Sequence, residues 1–302
     1  MKAPCWHALA AAQVRRVPRV PFEVLHEGVA WRAGSVASAH LHALARWPEA
    51  LQVDSHGVAL TLPAGERDAF LAQAHRRLRE AGLIVAWRDE TFPLLAHADG
   101  RLLATIERAA SRFWGTLTFG AHCNGYVADD QGRPAQLWIA RRALTKATDP
   151  GLLDNLVGGG VAHGQTPAQT VLREGWEEAG LSPAQMRDIR PGRLIELARD
   201  IPEGFMLERI SVYDLRLPAG LTPRNQDGEV AELALMPMAQ ALALAASDGM
   251  TVDAALVTLD FALRHRLFSD ELQQQLEQAS AALWVGNAEA PDQDGGNAPV
   301  LP

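Results

Sequence analysis

Three carboxylates fall within five positions in the run Arg173-Glu174-Gly175-Trp176-Glu177-Glu178. Placed on an α-helix, Glu174, Glu177 and Glu178 share one arc of about 100°. Left alone, like charges at these spacings repel by a few tenths of a kcal/mol per pair. A divalent cation reverses that sign, and Mg²⁺ favours carboxylate oxygens, water and substrate phosphates. Arg173 stands beside Glu174 and four residues before Glu177, where its forked donors can orient both carboxylates. Upstream, Gly158, Gly159 and Gly160 allow a turn in which backbone carbonyls come close to a bound ion. Without those glycines the acidic run would read as a solvated helix face.

The residues needed to hold this cluster in place are readable in turn. Thr166-Pro167 suits an N-cap followed by proline at the first helical position, so the spacing predicts a helix over 168–180. Leu172, Trp176 and Ala179 then face away from the carboxylates, toward a sheet. The segments 116–143 read as two strands joined by the polar turn ADDQGRPAQ, and GRLIELARDI and FMLERISVYDLRLP as two more. Residues 222–244 read as loop, short strand and helix, and VDAALVTLDFALRHRLF and SDELQQQLEQASAALW as two helices. Nearer the N-terminus, periodicity predicts helices over 35–48 and 65–83, the second stopping at Gly82, a short strand at 58–62 and extended chain over 83–95. The Pro/Gly/Asp/Asn-rich end reads as disordered.

The net charge of −8 argues against a general affinity for nucleic acid, which basic surfaces hold. The two cysteines, Cys5 and Cys123, are expected to be free thiols in a reducing compartment. No apolar run approaches the ~18 residues of a membrane span. The start, MKAPCWHALAAAQVRR, makes a poor secretory signal. A cytoplasmic protein is expected, with a small molecule as its partner and no membrane attachment; a homodimer stays open.

Residues 159–181 resemble the Nudix box, G-x5-E-x7-R-E-U-x-E-E-x-G-U, where U is a bulky apolar residue. Gly159, Arg173, Glu174, Glu177, Glu178, Gly180 and Leu181 match. Gln165 stands where the box has Glu, and Gly175 where it has a bulky apolar residue. The resemblance implies an α+β fold: a Nudix α/β/α sandwich over 116–245, an N-terminal α+β domain over 1–115, C-terminal helices over 246–285 and a tail over 286–302. It implies Mg²⁺, with Mn²⁺ as an alternative, held by Glu174, Glu177, Glu178 and the carbonyl of Gly159. It implies hydrolysis of a diphosphate, with Glu174 as a further ligand or base, oriented by Arg173. A loop carboxylate often assists in this family, and Glu229 is the best candidate, with Asp227 and Glu232 behind it. Gln165 is expected to weaken one metal site, and Trp176 to fill the space that Gly175 leaves.

The likeness extends over about 20–270 to one Nudix group, related to thiamine pyrophosphokinase-associated proteins and linked to thiamine diphosphate-type compounds, damaged forms included. The stretches GLIVAWRDETFPLL, IERAASRFWG, HCNGYV and QDGEV carry it. Trp87 and Arg88, with Asp89 and Glu90, could hold an aminopyrimidine or a thiazolium, or be a buried Trp beside a surface ion pair. Arg142 and Lys146, with Arg141, could contact the diphosphate. Asn124 and Tyr126 could border the pocket or simply shape a strand. Rival readings are a nucleoside diphosphate such as ADP-ribose or a dinucleotide as substrate, a non-catalytic ligand sensor, and an isomerase using Cys123.

Overall fold

The computed structural model describes residues 6–289. Cys5 and the last part of the expected tail, 290–302, lie outside the described residues. The chain opens with α1 (His7–Ala11), then β1 (Arg19–His26), β2 (Val29–Ala37), α2 (Leu41–Leu44), β3 (Leu51–Val53), β4 (Val58–Leu60) and α3 (Ala64–Glu80). A hairpin of β5 (Thr91–Leu95) and β6 (Leu102–Glu107) and the short α4 (Ala110–Trp114) complete the first half. The strands β2-β1-β4-β3 form a sheet in that order. Phe22, Leu71, Leu78, Phe92 and Trp114 fill one core beneath it. Trp114 is fully buried, stacks on Phe22 at 4.3 Å and donates its indole N–H to His75 Nε2 at 2.9 Å. Burying such a side chain contributes roughly 1.5–3 kcal/mol.

Of the expected helix over 35–48, only residues 38–44 are helical, a 3-10 turn at Ser38–His40 running into Leu41–Leu44. Ser35–Ala37 end β2, paired with Arg19–Pro21. Alanine-rich sequence favours helix locally, but strand pairing over a buried face overrides it. The helix α3 is as read, with Leu71, Ala74 and Leu78 inward and Gly82 in the left-handed region at φ +71°. Of the extended stretch 83–95, only Thr91–Leu95 is strand.

The second half is built on β7 (Leu117–Ala128), β8 (Pro134–Arg142), β9 (Leu153–Asp154), β10 (Val157–Gly160), α5 (Pro167–Ala179), β11 (Arg190–Ile201), β12 (Gly204–Arg216) and β13 (Val230–Pro237). It ends with α6 (Met238–Ala246), α7 (Val252–Arg264), α8 (Asp270–Ser280) and β14 (Trp284–Asn287). The sheet runs β13-β8-β7-β12-β11-β14, with β10 beside β7 and β9 beside β8; β7 and β12 are parallel. One face carries α5 over Ala121, Cys123, Trp138 and Tyr213. The other carries α6, α7 and α1 over Leu137, Ile139, Ile195 and Val212. This is the expected α/β/α sandwich. The described start of the expected tail departs from expectation: β14 pairs with β11, so Gly286 and Asn287 belong to the sheet edge, and Ala288 is fastened to it by donating to Gly192 O at 2.9 Å. Among the described residues no helix is long and apolar enough to cross a membrane.

Candidate active site

The helix α5 begins as its sequence dictates. Thr166 caps it, accepting from Gln169 N–H at 3.1 Å, while the Gln169 side chain accepts from Thr166 N–H at 2.9 Å. Gly180 closes it in the left-handed conformation, at φ +65°. Val171, Gly175 and Ala179 turn inward, and Glu178 lies buried among them. Trp176 does not pack on the sheet; it is 53% exposed. The space under Gly175 is taken by Met186, whose sulfur a Cβ at 175 would strike. A Met from the following loop thus replaces the bulky residue of the box pattern, its pliable thioether filling the gap.

The carboxylates meet the glycine turn. Glu178 accepts from Gly158 N–H at 2.9 Å. A Cβ on Gly159 would overlap the Glu174 carboxylate, so only glycine lets this strand lie against it. Arg173 donates to Glu174 at 2.8 Å and to Glu177 at 2.7 Å, the fork read from the sequence. Lys146 Nζ lies 3.9 Å from Glu178 and makes a closer ion pair with Glu229. The loop carrying Glu229 is fastened to the end of α5: Gln226 N–H donates to Glu177 O and Arg224 N–H to Ala179 O, both at 2.8 Å. Asp227 accepts from Glu229 N–H within that loop, and Glu232 pairs with Arg141 at the surface.

Burial raises the carboxyl of Glu178 well above its ordinary range, with Glu174 and Asp154 adding to the effect. Burial also raises Glu174, opposed chiefly by Arg173. Among the described residues no three His, Cys, Asp or Glu side chains already converge on one point; Arg173 and Lys146 neutralise the carboxylates instead. The donor set still fits a hard divalent ion. Three acidic side chains share one helix face, Glu174 and Glu178 lie against the glycine strand, and burial holds both of these above the ordinary carboxylate range, a cost that a bound cation would offset. Gln165 lies at the helix start and accepts from Thr170 Oγ1 at 3.2 Å.

Beside this turn opens a cavity of about 530 Å³, bounded by Gly158, Gly159 and Gly160, by the β11–β12 hairpin, by the start of α7, and by Arg88, Arg108 and Arg112 of the first half. The two halves touch the glycine strand together. His163 N–H donates to Thr91 O at 3.1 Å, and the Arg108 guanidinium lies where a Cβ on Gly160 would come within 2.9 Å of it. Arg142 lines the cavity and bonds Asp154 at 2.8 Å. Arg88 lines it too, near Thr148, but Trp87 does not. Trp87 opens on a separate surface groove with Asp89 and Glu90, under Arg79. The expected cluster at 87–90 is therefore split, because Ala86 and Asp89 adopt positive φ and the chain reverses there. Asn124 is buried, donating to Asp214 at 3.2 Å and accepting from Asn155, and Tyr126 packs on Phe261 and His265; neither lines the cavity. Cys123 is fully buried under α5, and burial drives its thiol far upward, which removes it as a proton donor at the cavity.

The cavity also exposes residues that no sequence pattern singled out: Arg112, His122, Arg199, Glu208 and Asp253. Arg112 donates to the buried Glu208 at 2.6 Å. Burial alone would raise Glu208, but this arginine holds it below its ordinary value. His122 lies against Gly158 and bonds Asn155 at 2.9 Å. Arg108 and Arg112 stand four apart at the foot of the first half, a spacing that was visible in IERAASRFWG. Glu208 and Asp253 carry no local signal, since their neighbourhood is made by strands and helices distant in sequence.

Residues 120–256 match the model of the NUDIX domain, and residues 5–118 match that of a domain of unknown function, DUF4743. Over 215 residues the chain is 35% identical to Nudix hydrolase 20, chloroplastic, of Arabidopsis thaliana, covering 70% of this chain and 56% of that protein. It is 36% identical over 208 residues to Nudix hydrolase 24, chloroplastic, of the same plant, covering 68% and 56%. An uncharacterized protein of Saccharomyces cerevisiae, YJR142W, is 30% identical over 200 residues, covering 62% and 58%. The matches span little more than half the length of these relatives. The fold and the box together define a Nudix domain over residues 120–256, and the wider chain is similar to proteins named Nudix hydrolases.

Proposed function

We propose that this protein is a divalent-metal-dependent diphosphatase that cleaves thiamine diphosphate-type compounds, damaged forms among them, to the monophosphate and phosphate. The observation that carries the hydrolase reading is the Glu174–Glu177–Glu178 face, forked by Arg173 and joined through Glu174 and Glu178 to the Gly158–Gly160 strand that lines the cavity. Two relatives named as Nudix hydrolases support it. The thiamine assignment rests on the wider sequence likeness; the roof of arginines from the first half is consistent with a substrate larger than diphosphate alone.

Glu177, Glu178 and the Gly159 carbonyl would hold the metal, Mg²⁺ or Mn²⁺, with Glu174 beside them as the base. When bound, such an ion neutralises phosphate charge and favours attack at phosphorus. Arg88 and Arg142 bind the diphosphate oxygens, Arg142 being kept in place by Asp154. Water attacks the terminal phosphorus in line, its proton passes to Glu174, and the P–O bond to the leaving monophosphate breaks. A carboxyl raised by burial is a better proton acceptor than a free one, and Arg173 fixes its direction. Lys146 is paired more closely with Glu229 than with Glu178, which would leave Glu178 available to an ion.

The test is a product assay with Mg²⁺ over thiamine diphosphate, its oxo- and hydroxy-analogues, ADP-ribose and a dinucleotide, beside Glu178→Gln. Monophosphate from the thiamine compounds, absent in the variant, is the expected result. Turnover of ADP-ribose alone would keep the chemistry and remove the thiamine assignment. Tight binding with no turnover of any compound would make the protein a sensor.

A further inference from the structure

The cavity continues beyond the groups that serve the diphosphate. Arg88 and Arg142 lie in the field of Glu229 and Glu178, on the side of the acidic helix. Asp253, in the first turn of α7, lies instead among Glu208, His122, Arg112 and Arg199. The charges there are unevenly used. Arg112 is committed to Glu208 at 2.6 Å and to Thr118 at 3.3 Å, and Arg108 to Glu90 at 2.8 Å. Asp253 lines the cavity with no hydrogen-bond donor on its carboxyl among the described residues, and only burial and neighbouring charges govern its ionisation. Arg199 lines the same wall, and its Nε is buried without an acceptor. Met206, Met250 and Val252 supply the apolar surface between them.

We propose that this wall, formed by β11, β12 and the start of α7, is the seat of the substrate's ring, and that the ring is an amino-substituted nitrogen heterocycle. The amino group donates to Asp253 and a ring nitrogen accepts from Arg199. Asp253 is only partly buried, so the cost of about 1–3 kcal/mol for an unsatisfied buried group falls on Arg199, whose Nε lacks an acceptor, while the Asp253 carboxylate offers unused acceptor positions beside it; a ligand edge carrying both groups answers the two together. The thioethers of Met206 and Met250 offer polarizable contacts to a ring face. The proposal rests on the diphosphatase reading above and deepens it. An aminopyrimidine and an adenine both present such an edge, and the test separates them.

The experiment is calorimetric binding at pH 7.5 to the wild type, Asp253→Ala, Asp253→Asn and Arg199→Met, with thermal melts as the check on folding. The probes are thiamine monophosphate, its analogue with the pyrimidine amino group replaced by a carbonyl oxygen, adenosine monophosphate and inorganic diphosphate with Mg²⁺. The expected result is a tenfold or greater loss of thiamine monophosphate binding in Asp253→Ala and Arg199→Met, with inorganic diphosphate unaffected. Asp253→Asn, which brings a donor in place of an acceptor, is expected to shift preference toward the carbonyl analogue. Folded Asp253 and Arg199 variants that bind thiamine monophosphate like the wild type overturn this proposal and leave the diphosphatase reading standing. Adenosine monophosphate binding that alone depends on Asp253 keeps the ring site but moves the substrate to the adenine class. No binding of either monophosphate to the wild type overturns this proposal, while the diphosphatase reading is decided separately by the product assay.

Discussion

Asp253 shows how position sets the chemistry of one residue. At the start of a helix a carboxylate is normally favoured in its charged form. Here burial in the cavity wall, with Glu208 nearby, outweighs that and pushes its pKa up to about 6, opposed by His122, Arg112 and Arg199. A carboxyl raised on folding binds more protons in the native state. It therefore contributes stability below about pH 4 that is lost as pH rises through 6. Asp253→Asn removes this titration, so the variant should match the wild type near pH 4 and exceed it by about 1–2 kcal/mol at pH 8, read from urea unfolding at both values. Gly159 makes the opposite case, a residue defined by what it lacks. In Gly159→Ala the new methyl would push the Glu174 carboxylate aside, and that side chain can swing away cheaply. Hydrolysis should drop by at least about tenfold, while the melting temperature stays within about 2 °C of the wild type.

At the scale of elements, α5 was legible because its start, stop and acidic face are all local: Thr166, Pro167, Gly180 and the three glutamates. Its inward face was not. Helical periodicity favoured Trp176, but Gly175 and Met186 close the gap from a loop whose approach leaves no trace in the helix sequence. Restoring the box residue with Gly175→Leu should therefore destabilise the protein, by about 1–3 kcal/mol from overpacking. Adding Met186→Ala should recover part of that loss, and a double-mutant cycle by thermal melting checks the coupling. The helix read too long at 35–48 has a related cause. Ser35–Ala37 are ambiguous alone, and it is pairing with Arg19–Pro21 that makes them strand. The metal-binding face could be read from spacing, whereas Glu208 and Asp253 come together only once β12 and α7 are packed.

The whole molecule is joined at the cavity. Arg112 at the foot of the first half reaches Glu208 in the central sheet, with both side chains largely out of water. Removing one partner leaves a buried charge, so Arg112→Ala should cost about 3–5 kcal/mol, and Arg112→Ala with Glu208→Gln should cost much less. Chemical denaturation of both variants decides this. Equal losses would mean that Arg112 acts through packing alone.

The glycines along this seam have a consequence for transplantation. Arg108 rests where a side chain on Gly160 would stand, and the carbonyl of Arg112 lies where one on Gly204 would stand. The first half is therefore not a portable cassette. A recipient scaffold with any larger residue at the Gly204 position would meet backbone and refuse the graft, and one with a side chain at the Gly160 position would have to displace Arg108 and Phe92, however good its own acidic helix. Glycine at both places works as a pair of permissions, and a chimera-builder could use it to choose which recipient domains will accept this roof.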